Sequence, residues 1–163
     1  MSETIVKPPM TASARFMRYW LPVAVMLTLM FLFSTDLFSG ETTGRAIAWF
    51  FSFFWQDDGA PDIKETDFAI RKLAHFAEYA VLAFLLFRAF RADNQKRWRW
   101  RWALAAFAVV VVWSWLDEWH QTFTHTRVGS IYDSMIDSAG GFFALLIIFL
   151  VHYFKKRRGR SIY

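Results

Sequence analysis

Four runs of almost uninterrupted apolar sequence, roughly residues 20–38, 68–90, 102–119 and 136–154, constrain this chain more than any other feature. A hydrocarbon layer is about 30 Å thick, and a helix crosses it in about 20 residues. Each run is long enough, and together they leave little sequence for a separate soluble domain. The predicted fold class is all-α, a polytopic membrane protein whose four transmembrane helices form a single domain over residues 1–163. Hydrophobic residues make up 56% of the chain, far from the usual soluble mix. The first run begins near residue 19, has full spanning length and is followed by no small-residue cleavage pattern, so it is expected to remain as an anchor. The chain has no cysteine, which excludes disulfides, thiolate metal sites and cysteine nucleophiles.

Loop charge predicts the threading, because Lys and Arg resist translocation and acids matter little. Fourteen of the 19 basic residues precede the first run, join the second to the third, or follow the fourth; the same segments hold only Glu3 and Asp93 as acids. The remaining five basic residues share the other side with twelve acids. The formal charge of +5 is thus the sum of about +12 on one side and −7 on the other. Both termini are expected in the cytoplasm of a bacterial-type inner membrane, with the acidic side facing outward. The basic, aromatic stretch "QKRWRWRW" resembles a base-stacking surface only superficially. Trp98, Trp100 and Trp102 stand where rings anchor a span among headgroups, with the arginines toward anionic lipid, so no nucleic-acid partner is expected. Between the first and second runs, "SGETTGRAIAWFFSFFWQDDGAPDIKETD" carries an aromatic middle too short to cross. It is read as an interfacial or re-entrant segment, either a lid on the bundle or a contact for lipid tails.

With this threading the second helix starts outside carrying Arg71, Lys72, His75, Glu78 and Tyr79. The third ends outside with Asp117, Glu118, His120 and Gln121, and the fourth leaves that surface past Asp133 and Asp137. Spacings of three and four residues place Arg71, His75 and Glu78 on one helix face, as they do Asp117 with Gln121 and Asp133 with Asp137. An ionisable group at membrane depth costs about 2.5–3.5 kcal/mol on insertion scales, so it is expected to be paired or to serve a site. Simpler roles stand beside this one. Arg71 and Lys72 can snorkel to headgroups, Asp133 can favour a helix N-terminus, and Ser134, Ser138, Gly140 and Gly141 suit close helix packing. His125 is read as a solvated loop residue and His152 as an interfacial one.

The same residues carry a family resemblance. "RKLAHFAEYAVLAFLL" resembles the Lys-x-x-His-Phe-x-x-Tyr-x-x-Leu motif of VanZ-like membrane proteins at Lys72, His75, Phe76, Tyr79 and Leu82. "DEWHQTFTHTRVGSIYDSMIDSAGG" is similar to the family's second block at Asp117, Glu118, Gln121, Arg127, Asp133 and Gly140 or Gly141, and "FLFST" at residues 31–35 resembles the end of its first span. His125 stands where a proline usually precedes the arginine, and Asp137 stands where asparagine is usual, adding a possible negative charge. The family's namesake is associated with resistance to the glycopeptide teicoplanin, and the resemblance implies a link of that kind.

The predicted ligand-binding set is Lys72, His75, Glu78, Tyr79, Asp117, Glu118, Gln121, Arg127, Asp133 and Asp137. The leading expectation is a cleft that binds or handles a cell-envelope lipid, a lipid-linked precursor or a glycopeptide, with membrane lipids as partners. An enzyme acting on a lipid-linked phosphate or sugar is the alternative: Glu78, His75, Asp117 or Glu118 would exchange protons while Arg127 held a phosphate oxygen. Ser114, Ser130 and Ser134 are the ambiguous nucleophiles. The third reading is a purely structural polar network. The cofactor is left open, a divalent cation among the options, since carboxylates suit Mg²⁺ or Ca²⁺ and added imidazole suits Zn²⁺ or Mn²⁺. No spacing is diagnostic of a metal, His120 and His125 included, and the sequence assigns no metal ligands.

Overall fold

The computed structural model describes residues 10–34, 49, 63–94, 98–123 and 130–158. These residues form five helices and no strand: α1 (Ala12–Tyr19), α2 (Leu21–Phe33), α3 (Ile63–Arg91), α4 (Trp100–Gln121) and α5 (Ile131–Arg158). Helices are what hydrocarbon permits, since they satisfy every backbone polar group within the segment. Four spans are long and apolar enough to cross a membrane: Ala12–Phe33, Phe68–Arg91, Trp100–Gln121 and Ile131–Arg158. The chain is a multi-pass membrane protein.

The boundaries depart from the apolar runs for a physical reason: hydropathy marks the lipid-facing length, whereas capping and packing carry the helix into polar sequence. The first span begins at Ala12, where the Thr11 hydroxyl caps it by accepting from the Ala14 N–H at 3.2 Å. It breaks only at Trp20 before continuing as α2, whose Pro22 lies in a first turn that does not need its missing N–H. The fourth starts at Ile131 rather than near residue 136, with the Ser130 hydroxyl accepting from the Tyr132 N–H at 3.3 Å. That extra turn and a half brings Asp133 and Ser134 into the helix. The aromatic segment expected between the first two spans falls, apart from Trp49 and its last residues from Ile63 on, outside the described residues.

α5 packs most extensively against α3 and then α4, while α2 lies along α3. Tyr79, Leu82, Ala83, Leu86, Ala106, Val110 and Leu145 fill the centre, and Leu73, Phe84, Leu104, Val112, Phe142 and Ile147 point outward. Apolar side chains on both faces are what a helix bordered by lipid requires. Close approach depends on two glycines of α5. A Cβ on Gly140 would lie 2.2 Å from the Phe76 carbonyl oxygen, and one on Gly141 would lie 2.7 Å from Val110 Cγ1.

At the basic end, the Tyr19 hydroxyl donates to Asp93 Oδ1 at 2.7 Å, Arg15 pairs with the same carboxylate at 3.2 Å, and Arg88 donates to the Arg18 carbonyl at 2.9 Å. These contacts tie α1 to the end of α3. Of the three tryptophans read as headgroup anchors, Trp102 is buried and Trp98 stacks on Phe87 with ring centroids 5.1 Å apart; Trp100 remains exposed.

Candidate functional site

Ion pairs and hydrogen bonds bring the start of α3, the end of α4 and the start of α5 together at the opposite end. Antiparallel packing of three consecutive helices produces this: polar residues at alternate ends of successive helices reach one level. Lys72 of α3 donates to Asp133 Oδ1 of α5, with its ammonium also 4.6 Å from the centroid of the Phe68 ring. Both members are partly exposed, so the pair forms a rim. One turn further in, His75 Nδ1 lies 3.6 Å from Asp137 Oδ1. Asp117 of α4 completes the group: one ligand atom from each of His75, Asp117 and Asp137 falls within 4.8 Å of the others.

The two aspartates are deeply placed, Asp137 at 1% and Asp117 at 8% exposure. Neutral donors hold them. Gln121 Nε2, one turn along α4, donates to Asp117 Oδ2 at 3.2 Å. The Ser114 hydroxyl lies 3.4 Å from Asp137 Oδ2 and closer still to Ser134, 2.8 Å from its Oγ and 3.1 Å from its carbonyl oxygen. Glu118 faces the neighbouring chain turn, where Oε2 accepts the Ser130 N–H at 2.6 Å and fixes the start of α5 against the end of α4. Tyr79 is completely buried one turn below His75, and its hydroxyl makes no hydrogen bond among the described residues.

Of the ten residues predicted to bind a ligand, the structure draws His75, Asp117 and Asp137 into one cluster, surrounds it with Tyr79 and Gln121, and sets Lys72, Asp133 and Glu118 at its margin. Glu78 is half-buried on α3, outside the trio. Arg127, like His125, lies outside the described residues. Sequence reasoning missed the tie between Ser114 and Ser134, treating both as ambiguous nucleophiles and the second also as a packing residue. The signal was spacing: each serine precedes an aspartate of the cluster by three residues, on the same helical face. With Ser134 as its nearest partner, the Ser114 hydroxyl serves as a bridge between helices.

Outside this cluster, α4 and α5 enclose two adjoining grooves. One, of about 240 Å³, is lined by Glu118, Thr122 and Ser130 together with Trp115, Trp119, Ile131 and Ser134. The other, of about 310 Å³, continues from Trp115, Ile131 and Ser134 to Phe107, Met135 and Phe142. The surface of both grooves is chiefly apolar.

The VanZ/LLP1 family model matches residues 19–152, which include α2 to α4 and most of α5. No curated protein and no solved structure matches the chain.

Proposed function

The chain belongs to the VanZ/LLP1 family, and from that premise we propose that it binds or handles a cell-envelope lipid or lipid-linked precursor at the junction of α3, α4 and α5. The observation that carries this reading is the paired groove on the α4–α5 face. An acyl tail needs an apolar channel open to the bilayer, and both grooves are lined chiefly by apolar surface, from Trp115 and Ile131 to Phe107, Met135 and Phe142. A site open to lipid needs no aqueous access for the tail. The head would sit at the level of the Lys72–Asp133 rim, where Arg127 is close in sequence to the start of α5. By the loop charge, this end faces outward from a bacterial-type cytoplasmic membrane and the termini lie inside. A lipid-linked wall precursor as the occupant would supply the link to glycopeptide, and specifically teicoplanin, susceptibility that the family resemblance implies.

One observation favours hydrolase or transferase chemistry on a lipid-linked phosphate or sugar as a second reading: the imidazole–carboxylate contact of His75 and Asp137 is the arrangement that sets a general base. The experiment separates these from a structural network. Ser138→Trp fills the apolar groove without touching the His75 cluster, and lipid mass spectrometry on purified protein measures what remains bound. The lipid reading expects a defined lipid class at near-stoichiometric amount in the wild type and its loss in the folded variant. Equal, non-specific lipid in both refutes it. Arg127→Ala and Glu78→Gln, each at normal expression, are expected to abolish any glycopeptide phenotype; full activity in both removes these residues from the site.

A further inference from the structure

We propose that His75, Asp117 and Asp137 form a site for one divalent transition-metal ion of the zinc or manganese class. The site would exist whatever lipid occupies the α4–α5 groove.

The geometry comes first. Three ligand atoms from three different helices lie within 4.8 Å of one another, and the His75 Nδ1–Asp137 Oδ1 separation is 3.6 Å. An ion about 2.1 Å from each of two ligands in tetrahedral geometry holds them about 3.4 Å apart. One edge is therefore already close to the required length, and the Asp117 ligand atom stands within 4.8 Å of both others. The donor set selects the ion. Imidazole with two carboxylates suits zinc or manganese, whereas calcium needs six to eight oxygens and magnesium keeps most of its waters.

Charge gives the second argument. Two buried aspartates stand together, and Lys72, three residues before His75 on α3, is paired with Asp133 at the rim. The groups that approach the buried pair's outer oxygens, Gln121 at Asp117 and Ser114 at Asp137, are neutral. Ionising two carboxylates together at this depth is costly, and a dication offsets that cost. The surroundings also match a metal site's outer shell. Gln121 orients Asp117 through Oδ2, and Ser114 lies beside Asp137 Oδ2 while Oδ1 faces His75.

Tyr79 supplies the independent sign of a ligand. It is 0% exposed, shares the α3 face of His75 four residues on, and its hydroxyl, turned toward Ser114, Asp117 and Asp137, closes no hydrogen bond of normal length among the described residues. A buried phenol normally has a partner. An oxygen ligand completing the ion's shell, water or a lipid phosphate oxygen, would provide one. Three protein ligands leave such a position open, and the His75 side chain, 27% exposed, marks the way in.

The test uses the full chain in detergent, stripped with chelator and re-equilibrated with ZnCl₂ or MnCl₂. Elemental analysis after desalting is expected to find one ion per chain, with a raised unfolding temperature. Asp137→Asn and His75→Gln should each weaken binding at least about tenfold, whereas Glu65→Gln, an exposed acid on the same helix, should not. Should Asp137→Asn fail to fold, His75→Gln decides, because its part-exposed ring tolerates replacement. Wild-type protein retaining neither ion overturns the proposal, as does undiminished binding in the folded His75 variant. Loss of lipid binding on Ser138→Trp with the metal retained would leave this site standing and separate it from the lipid reading.

Discussion

Gly140 and Phe76 meet backbone to backbone: a methyl group on the glycine would lie 2.2 Å from the Phe76 carbonyl oxygen and 3.0 Å from its carbon. A carbonyl fixed in a helix cannot turn away, so α3 and α5 would have to separate. His75 and Asp137 stand immediately beside this contact, one residue before Phe76 and three before Gly140. Gly140→Ala is therefore expected to cost about 3 kcal/mol, the upper part of the overpacking range, and to pull the two ligand-bearing helices apart. Thermal unfolding in detergent checks the first part. A stable Gly140→Ala protein with unchanged metal and lipid binding would contradict both.

Gly141 meets a side chain instead, with Val110 Cγ1 2.7 Å from the added carbon and Cγ2 at 3.4 Å. Valine is stiff at χ1, so it yields poorly, but its methyls can be removed. Gly141→Ala should destabilise by about 1–3 kcal/mol and Val110→Ala by a similar amount through the cavity it leaves. Combined, the added methyl occupies part of that cavity, and the cycle should show a coupling of at least about 1 kcal/mol in the compensating direction. Strict additivity would show that the two residues do not meet as described.

The architecture was legible because membrane helices are specified by the crudest property of sequence, the length of apolar runs, and the antiparallel order of three successive helices follows from their short connections. That order alone placed Lys72, His75, Asp117, Asp133 and Asp137 at one end. What the sequence did not reveal was depth and rotation. Glu78 shares a helix with His75 and ranked with it as a candidate, yet the α3–α5 contact at Gly140 turns His75, Tyr79 and Leu82 inward and leaves Glu78 at the margin. Helix ends were equally hidden: Ser130 and Thr11 set them through caps that lie outside the apolar runs. The metal-like trio escaped detection because its members come from three helices, where no linear spacing records them.

Ser114 links Ser134 and Asp137 in a fully buried position. Hydrogen bonds between membrane helices average about 0.6 kcal/mol, with a maximum near 1.7. Ser114→Ala removes the donor to both neighbours and should lie near that maximum; Ser134→Ala leaves Ser114 its contacts with the Ser134 carbonyl and Asp137 and should cost less than about 1 kcal/mol. The measurement is the order of unfolding midpoints for the two variants. The reverse order, or none, would remove the serine bridge from the account of how Asp137 is oriented.

The threading is open to direct test, since the chain has no native cysteine. Asn94 is exposed between α3 and α4 at the end that carries Arg15, Arg88 and Lys155, while Phe123 is 68% exposed just beyond α4 at the His75 end. Positive charge is retained in the cytoplasm, and the excess at the Asn94 end is large: fourteen of the 19 basic residues, against two of the 14 acids. Single cysteines at the two positions should behave oppositely in intact cells. An impermeant thiol reagent should label Phe123→Cys and reach Asn94→Cys only after the membrane is opened. The opposite pattern would invert the protein, place the His75–Asp117–Asp137 cluster on the cytoplasmic face, and exclude ligands presented from outside the cell.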